Sequence, residues 1–209
     1  MTSRPGLPGY PSEDRPFTRA MRADGRPATL DDYLAAGGYE GLKKAVGGLQ
    51  PREVTTLVTD SGLRGRGGAG YSTGRKWSTM PLGPDAPRPK YIVCNADEME
   101  PGSFKDRFLM ERNPHLLLEG MLLAGFATES DEGFIFLRAQ YDASYAALKS
   151  AIAEARERGY LGDDILGSDF SMDIELHTSI GRYICGEASA MLNALESQRP
   201  NPRARPPHM

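Results

Sequence analysis

Cysteine is scarce in this 209-residue sequence: only Cys94 and Cys185 occur, far apart and neither in a C-x-x-C pair. That excludes a disulfide framework and leaves too few ligands for this chain alone to hold zinc or an iron–sulfur cluster. Each thiol reads as a small buried hydrophobe, and no metal-ligating set is expected. Long hydrophobic runs are missing as well. The longest, LLLEGMLLAGFA from Leu116 to Ala127, is interrupted by Glu119 and falls short of the roughly 20 residues that span a bilayer. It reads as a core helix, so no direct membrane span is expected. The opening MTSRPGLPGYPSEDRP has no apolar segment of the signal-peptide kind, and export is not expected. Nor is there an excess of one charge: 25 Lys and Arg stand against 28 Asp and Glu, a net −3. That balance speaks against nucleic acid or an anionic membrane as the main partner, and any basic feature must be local. Histidine occurs three times. His115 and His177 fall in helix and strand patterns and read as structural, while His208 stands beside the last residue.

What is present divides into an arm and a patterned body. Residues 1–28 are rich in Pro, Gly and Arg without apolar period, and read as an extended arm lying on something larger. The remainder, 29–209, reads as one α/β domain. Thr29-Leu-Asp-Asp32 has the form of a capping box, LDDYLAAGGYEGLKKAV suggests two short helices broken at Gly37-Gly38, and Pro51 opens a third. Val54, Leu57 and Val58 mark one face of that third helix. Strands follow at KYIVCN (90–95), GFIFLR (133–138) and MDIELH (172–177), alternating with helices at about 114–128, 142–159 and 187–198. This βαβαβα order implies a parallel sheet with right-handed crossovers and ligands bound beyond the carboxyl ends of its strands.

Three polar stretches carry the chemistry. The first, GLRGRGGAGYSTGRKW (62–77), contains G-x-G-x-x-G from Gly65 to Gly70, with Arg64, Arg66, Arg75 and Lys76 around it. An ordinary dinucleotide fingerprint needs a strand before that turn, whereas PREVTTLVTDSG before it has helical spacing. The loop is therefore either a solvated surface loop or an anion cradle of another kind. Its glycines admit close backbone approach, its cations supply positive charge, and Tyr71 and Trp77 offer faces on which a planar ring could stack. The second stretch, Asp97-Glu98-Met99-Glu100, is either a charged helix start or, following Asn95 at the end of the first strand, a set of acceptors for ribose or ribityl hydroxyls. The third, GRYICGE (181–187), places Glu187 near the N-terminus of the last helix.

Together GLRGRGGAGYSTGRKW, YIVCNADEMEPGSFKDR, and GRYICGE followed by NPRARPP resemble the NADH-binding flavoprotein family of respiratory complex I, the F subunits of NADH-quinone oxidoreductase, with kin in hydrogenase and formate dehydrogenase diaphorases. The resemblance runs from about residue 17 to the end. It implies a modified Rossmann-like fold that holds FMN and NAD(H) together. It also implies electron input to quinone by NADH oxidation, with hydride passing directly to the flavin and no catalytic side chain. Gly65, Arg66, Gly67, Gly68, Gly70, Lys76, Asn95, Asp97 and Glu98 would contact FMN, Tyr183, Gly186 and Glu187 would close that site, and Glu100 and Tyr71 would lie on the NADH side. The implied partners are other peripheral-arm subunits of complex I, especially the [2Fe–2S] protein (its E subunit) and the large iron–sulfur protein (its G subunit). The implied location is the cytoplasmic side of the bacterial inner membrane, or the matrix side in mitochondria. The family's ubiquitin-like and [4Fe–4S] domains are absent from this sequence, which looks like the N-terminal part of a longer protein and could not alone pass electrons onward.

Two departures from the family pattern stand out. The third motif usually reads G-E-E-T-A-L but here is Gly186-Glu187-Ala188-Ser189-Ala190-Met191, and His208 replaces a Phe after Arg205-Pro206-Pro207. A non-catalytic scaffold with a decayed nucleotide site and a soluble diaphorase of a hydrogenase or formate dehydrogenase are the alternative expectations.

Overall fold

The computed structural model describes residues 16–179 and 181–204. Its centre is a parallel sheet of β1 (Tyr91–Ala96), β2 (Glu132–Leu137) and β3 (Asp173–Thr178) in the order β1-β2-β3. Tyr91 pairs with Glu132 and Ala96 with Leu137, and the same β2 residues pair with Asp173 and Thr178 of β3. The three strands thus start and stop level with one another, and the loops that leave them emerge along one edge. Consecutive β2 residues Ile135, Phe136 and Leu137 are at most 1% exposed, the mark of a strand covered on both faces. Ile135 and Leu137 join the main core, whereas Phe136 packs with Cys185 and Met191 in a second cluster.

The crossovers are helices α6 (Pro114–Thr128) and α7 (Asp142–Glu157), and α8 (Ala188–Leu195) follows β3. Helix α6 is the apolar run seen in the sequence, with Leu118 and Leu122 fully buried. Its one charge, Glu119, is buried and accepts from the Tyr33 hydroxyl, the Tyr39 amide (2.9 Å) and the Leu42 amide (3.2 Å). All three donors belong to the short helices α1 (Leu30–Ala35) and α2 (Glu40–Val46), or to the turn between them. A carboxylate in the apolar stripe is tolerable because its lone pairs are satisfied, and it anchors the hairpin to the core. The expected capping box is present, Thr29 and Asp32 each bonding the other's backbone. His115 is fully buried with Nδ1 at 3.1 Å from the Tyr39 hydroxyl, and burial holds its pKa below the ordinary value against the pull of Glu154. His177 stacks on Phe136.

Some expectations change. The third helix, α3 (Pro51–Asp60), buries Val54 and half-buries Val58, but Leu57 is 49% exposed, so the three do not share one buried face. Two helices not anticipated are α4 (Thr73–Trp77) and α5 (Lys105–Arg112). Of α5, only Met110 is buried, so its sequence carries almost no apolar period. Within the expected arm, residues 1–15 lie outside the described residues. The rest folds back on this chain: Ala20 is buried, the Phe17 carbonyl accepts from Asn113, and the Ala28 amide donates to the Arg112 carbonyl. Among the described residues no helix is long and apolar enough to cross a membrane.

Helix α4 lies against α3 at a contact that admits no side chain: a Cβ on Gly74 would come within 2.7 Å of the Thr59 backbone. Gly74→Ala should therefore destabilise the fold by about 1–3 kcal/mol, the usual cost of overpacking. Gly120 in α6 has open space around its Cβ position, and Gly120→Ala should stabilise by about 0.5–1 kcal/mol. Urea midpoints of the two variants should move in opposite directions.

Candidate functional site

Three loops enclose a cavity of about 660 Å³ beyond the carboxyl end of β1. Arg66, Gly67 and Gly68 come from the glycine loop, and Asn95, Asp97, Glu98, Met99 and Glu100 from the end of β1 and the segment after it. The start of α5 adds Ser103, Lys105 and Asp106, and the segment after β3 adds Tyr183, Ile184, Gly186 and Glu187.

Each loop is shaped locally before it meets the others. The glycine loop is pinched shut at its base: the Gly65 amide donates to Tyr71 O (2.9 Å) and the Thr73 amide to Leu63 O (3.0 Å). Arg64 closes it further by donating to Gly70 O at 3.1 Å, so that guanidinium is engaged within the loop. Ser72 caps α4, and Glu187 caps α8 by accepting from the Ala190 amide at 2.9 Å. Two ties then join the first-strand loop to the last. The Asn95 side-chain amide donates to Gly186 O at 2.8 Å, and the Tyr183 hydroxyl donates to Glu100 at 2.9 Å. That hydrogen bond raises the Tyr183 pKa by favouring the protonated phenol, and the charge of Glu100 adds to it.

The adjacent acids at the end of β1 differ in environment. Glu98 is buried, which would raise its pKa, but Ser103 and the Asp106 and Arg107 amides donate to it and Lys105 lies 3.7 Å away. The net direction is downward. Its carboxylate thus receives the free amides of the start of α5. Asp97 is 5% exposed; burial pushes its pKa up, and the Ser179 hydroxyl and Arg138 pull it back only in part. Its Oδ1 accepts from Ser179 at 2.9 Å, while Oδ2 is buried without a hydrogen-bond partner among the described residues.

Of the residues singled out in the sequence, Arg66, Gly67, Gly68, Asn95, Asp97, Glu98, Glu100, Tyr183, Gly186 and Glu187 line the cavity. Gly65, Gly70, Tyr71 and Lys76 are not part of its lining. Gly65 and Tyr71 form the base of the loop, Gly70 receives Arg64, and Lys76 is exposed on α4. Trp77 corrects the expectation of a stacking face: it is half-buried against Ala45, Val54 and Ala127. Met99, Ser103, Lys105, Asp106 and Ile184 join the lining without having been singled out. The signal for Ser103 to Asp106 was the unrecognised helix α5, whose start folds back under Glu98. Arg205 to His208 lie outside the described residues. Among the described residues no group of three or more His, Cys, Asp or Glu could hold a metal ion.

Comparison with known proteins identifies the family. Residues 58–209 match the Nuo51 FMN-binding domain model. The F subunits of NADH-quinone oxidoreductase from Salmonella typhimurium and from Escherichia coli are each 52% identical over 195 residues, 93% of this chain but 44% of theirs. NADP-reducing hydrogenase subunit HndC of Solidesulfovibrio fructosivorans is 46% identical over 87% of this chain and 36% of its own. In structure, NAD+-reducing [NiFe]-hydrogenase in the H2-reduced state superposes with a TM-score of 0.67 at 34% identity, covering 88% of this chain and 30% of that one. The chain spans less than half the length of these relatives. With both the cavity's three loops and most of the sequence accounted for by one domain model, the chain belongs to the Nuo51 FMN-binding domain family.

Proposed function

We propose that this chain forms the FMN- and NADH-binding part of an NADH dehydrogenase, the electron-input component of NADH:quinone oxidoreductase. One observation carries the reading: the glycine loop, the acidic end of β1 and the segment before α8 line a single cavity, of a volume within the roughly 300–1,000 Å³ usual for cofactor sites. The residues fit a flavin mononucleotide. A Cβ at Gly67 would meet no atom of the described residues within 4 Å, which leaves that part of the wall open to a ligand. Asp97 Oδ2 is a buried acceptor without a donor, suited to a polyol hydroxyl. Arg66 and Lys105 supply positive charge for a phosphate.

When bound, the flavin supplies the two-electron chemistry, accepting hydride from NADH. The chain's own task is orientation and exclusion of water. Glu98 holds α5 as one wall, Asn95 holds the 3-10 turn Tyr183–Gly186 as another, and the Tyr183–Glu100 bond links the two. No side chain is assigned as acid or base. The partners of such a protein are other complex I subunits, among them the [2Fe–2S] protein and the large iron–sulfur protein, and its place is the peripheral arm on the cytoplasmic side of the bacterial inner membrane. A second reading, a hydrogenase diaphorase, is favoured by the similarity to HndC and the NAD+-reducing hydrogenase. It shares the site and differs only in where electrons go.

The absorbance spectrum of the full-length protein tests the reading against a scaffold that has lost its nucleotide. Flavin bands near one per chain are expected, and a colourless protein that takes up no FMN would refute it. Gly67→Val should leave the unfolding free energy from urea titration within about 0.5 kcal/mol of the parent, because no atom of the described residues stands near its Cβ position. FMN affinity should fall by about 1–3 kcal/mol, the cost of a forced contact. Retention of full affinity would remove the glycine loop from the flavin site.

Ala188 is exposed at the first position of α8, beside Glu187 of the cavity wall. A second carboxylate there would repel the 2′-phosphate of NADPH. Ala188→Glu should therefore raise the ratio of kcat/KM for NADH over NADPH by roughly ten-fold. An unchanged ratio in steady-state assays with both nucleotides would assign the discrimination elsewhere.

A further inference from the structure

Ser179 follows β3 and lies outside the three motif stretches, yet it is 5% exposed and fully engaged. Its Oγ donates to Asp97 Oδ1 at 2.9 Å and accepts from the Gly181 amide at 3.1 Å, while its own amide donates to Leu137 O at 2.7 Å. A hydroxyl has a single proton, and the Gly181 amide can only donate to it, so that proton goes to the carboxylate. Ser179 thus fixes the acid at the end of β1 from the end of β3, across the intervening strand β2. Asp97 is left with one oxygen satisfied and the other buried without a donor. Native structures seldom leave such an atom unpaired unless the site uses it.

We infer that Ser179 is a positioning residue: by holding Oδ1 it orients Asp97 so that Oδ2 is the acceptor left in the cavity wall for a hydroxyl of the bound flavin's polyol chain. This rests on the flavin reading above. The groups that bear on Asp97 come from every element around it. Arg138, at the end of β2, favours the carboxylate. The Cys185 thiol, whose own pKa Asp97 helps to raise, lies in the 3-10 turn, and Glu98 and Glu187 share the cavity wall. Burial disfavours the charged form, and Ser179 and Arg138 oppose it. Loss of the Ser179 hydroxyl removes one of those opposing forces. Asp97 then takes up its proton at higher pH, and the acceptor is lost sooner as pH falls.

FMN titrations of the full-length protein by flavin fluorescence, between about pH 5 and 8, test this. Ser179→Ala should weaken FMN binding about ten-fold at pH 7 and raise the pH midpoint of binding by about one unit, the effect of a lost hydrogen bond to a charged group. In an Asp97→Asn background the same substitution should change affinity less than about two-fold, because Ser179 acts through the carboxylate. An equal loss in both backgrounds, or an unmoved midpoint, would overturn the proposal. Carboxyl 13C NMR of Asp97 in the flavin-free protein separates the two readings. A parent protein that binds no FMN at any pH refutes the flavin assignment, whereas an Asp97 titration unmoved by Ser179→Ala refutes the positioning role whether or not flavin binds.

Discussion

Everything that meets at the cavity depends on parallel pairing in matched register. Because Ala96, Leu137 and Thr178 lie side by side at the ends of β1, β2 and β3, the residues that follow each strand share one edge without any contact having to draw them there. Asp97 and Glu98 leave β1, Arg138 leaves β2, and Ser179 leaves β3. Arg138 donates to the Glu98 carbonyl and Ser179 to the Asp97 carboxylate, so the strand ends are bonded to one another. A one-residue slip of β1 would exchange the faces of Asn95 and Asp97 with that of Ala96 and break these links. Burial of β2 on both faces, with α6 and α7 packed over one and α8 over the other, makes such a slip costly. The fold thus fixes the site through its core.

The two acids at the end of β1 show how one dipeptide serves both needs. Glu98 receives the first amides of α5 together with the Ser103 hydroxyl. It behaves as a helix cap supplied from outside the helix, and its charge suits the positive end of the dipole. A reading of DEMEP as a charged helix start is near the physics but places the helix too early, since α5 begins at Lys105. Asp97, its neighbour, is given one donor and no more. One carboxylate meets the start of α5, and the other is left short of partners. Adjacent residues of like charge therefore have opposite pKa directions: burial raises both, and only at Glu98 do the hydrogen-bond donors and Lys105 outweigh it.

Much of this was legible because apolar period and strand spacing are local properties. The three strands lie within one residue of their expected bounds, and α6 matches Pro114–Thr128. Capping chemistry was equally readable at Thr29, and Glu187 was placed near the start of the last helix, where the structure makes it the cap. What escaped was non-local. KDRFLMER buries one residue, so no pattern announced α5; its start is held by Glu98, which precedes the helix and belongs to another element. Tyr71 and Trp77 suggest faces for a ring because they flank the glycines. Trp77 belongs to the packing of α3 and α6, and Tyr71 contributes its backbone to the base of the loop. Glu119 looks like an interruption of an apolar helix until it is set against the donors of the α1–α2 hairpin, far earlier in the chain.

Glycine carries the same lesson in its sharpest form, since one short stretch contains two kinds. At Gly74 the space for a side chain is already filled by the Thr59 backbone, so the residue is dictated by how closely α4 approaches α3. At Gly67 and Gly68 the protein leaves that space open. No packing argument within the chain requires glycine at the second pair, and Gly67 has an ordinary backbone that other residues adopt. Gly68 differs in having φ +125°, a backbone that favours glycine whatever the space. Sequence alone could not separate the two, because both sit in a glycine-rich run of similar charge. Structure separates them by what a Cβ would touch: Gly74 is held by the approach of two helices, whereas Gly67 and Gly68 line the cavity with no described side chain or backbone against them.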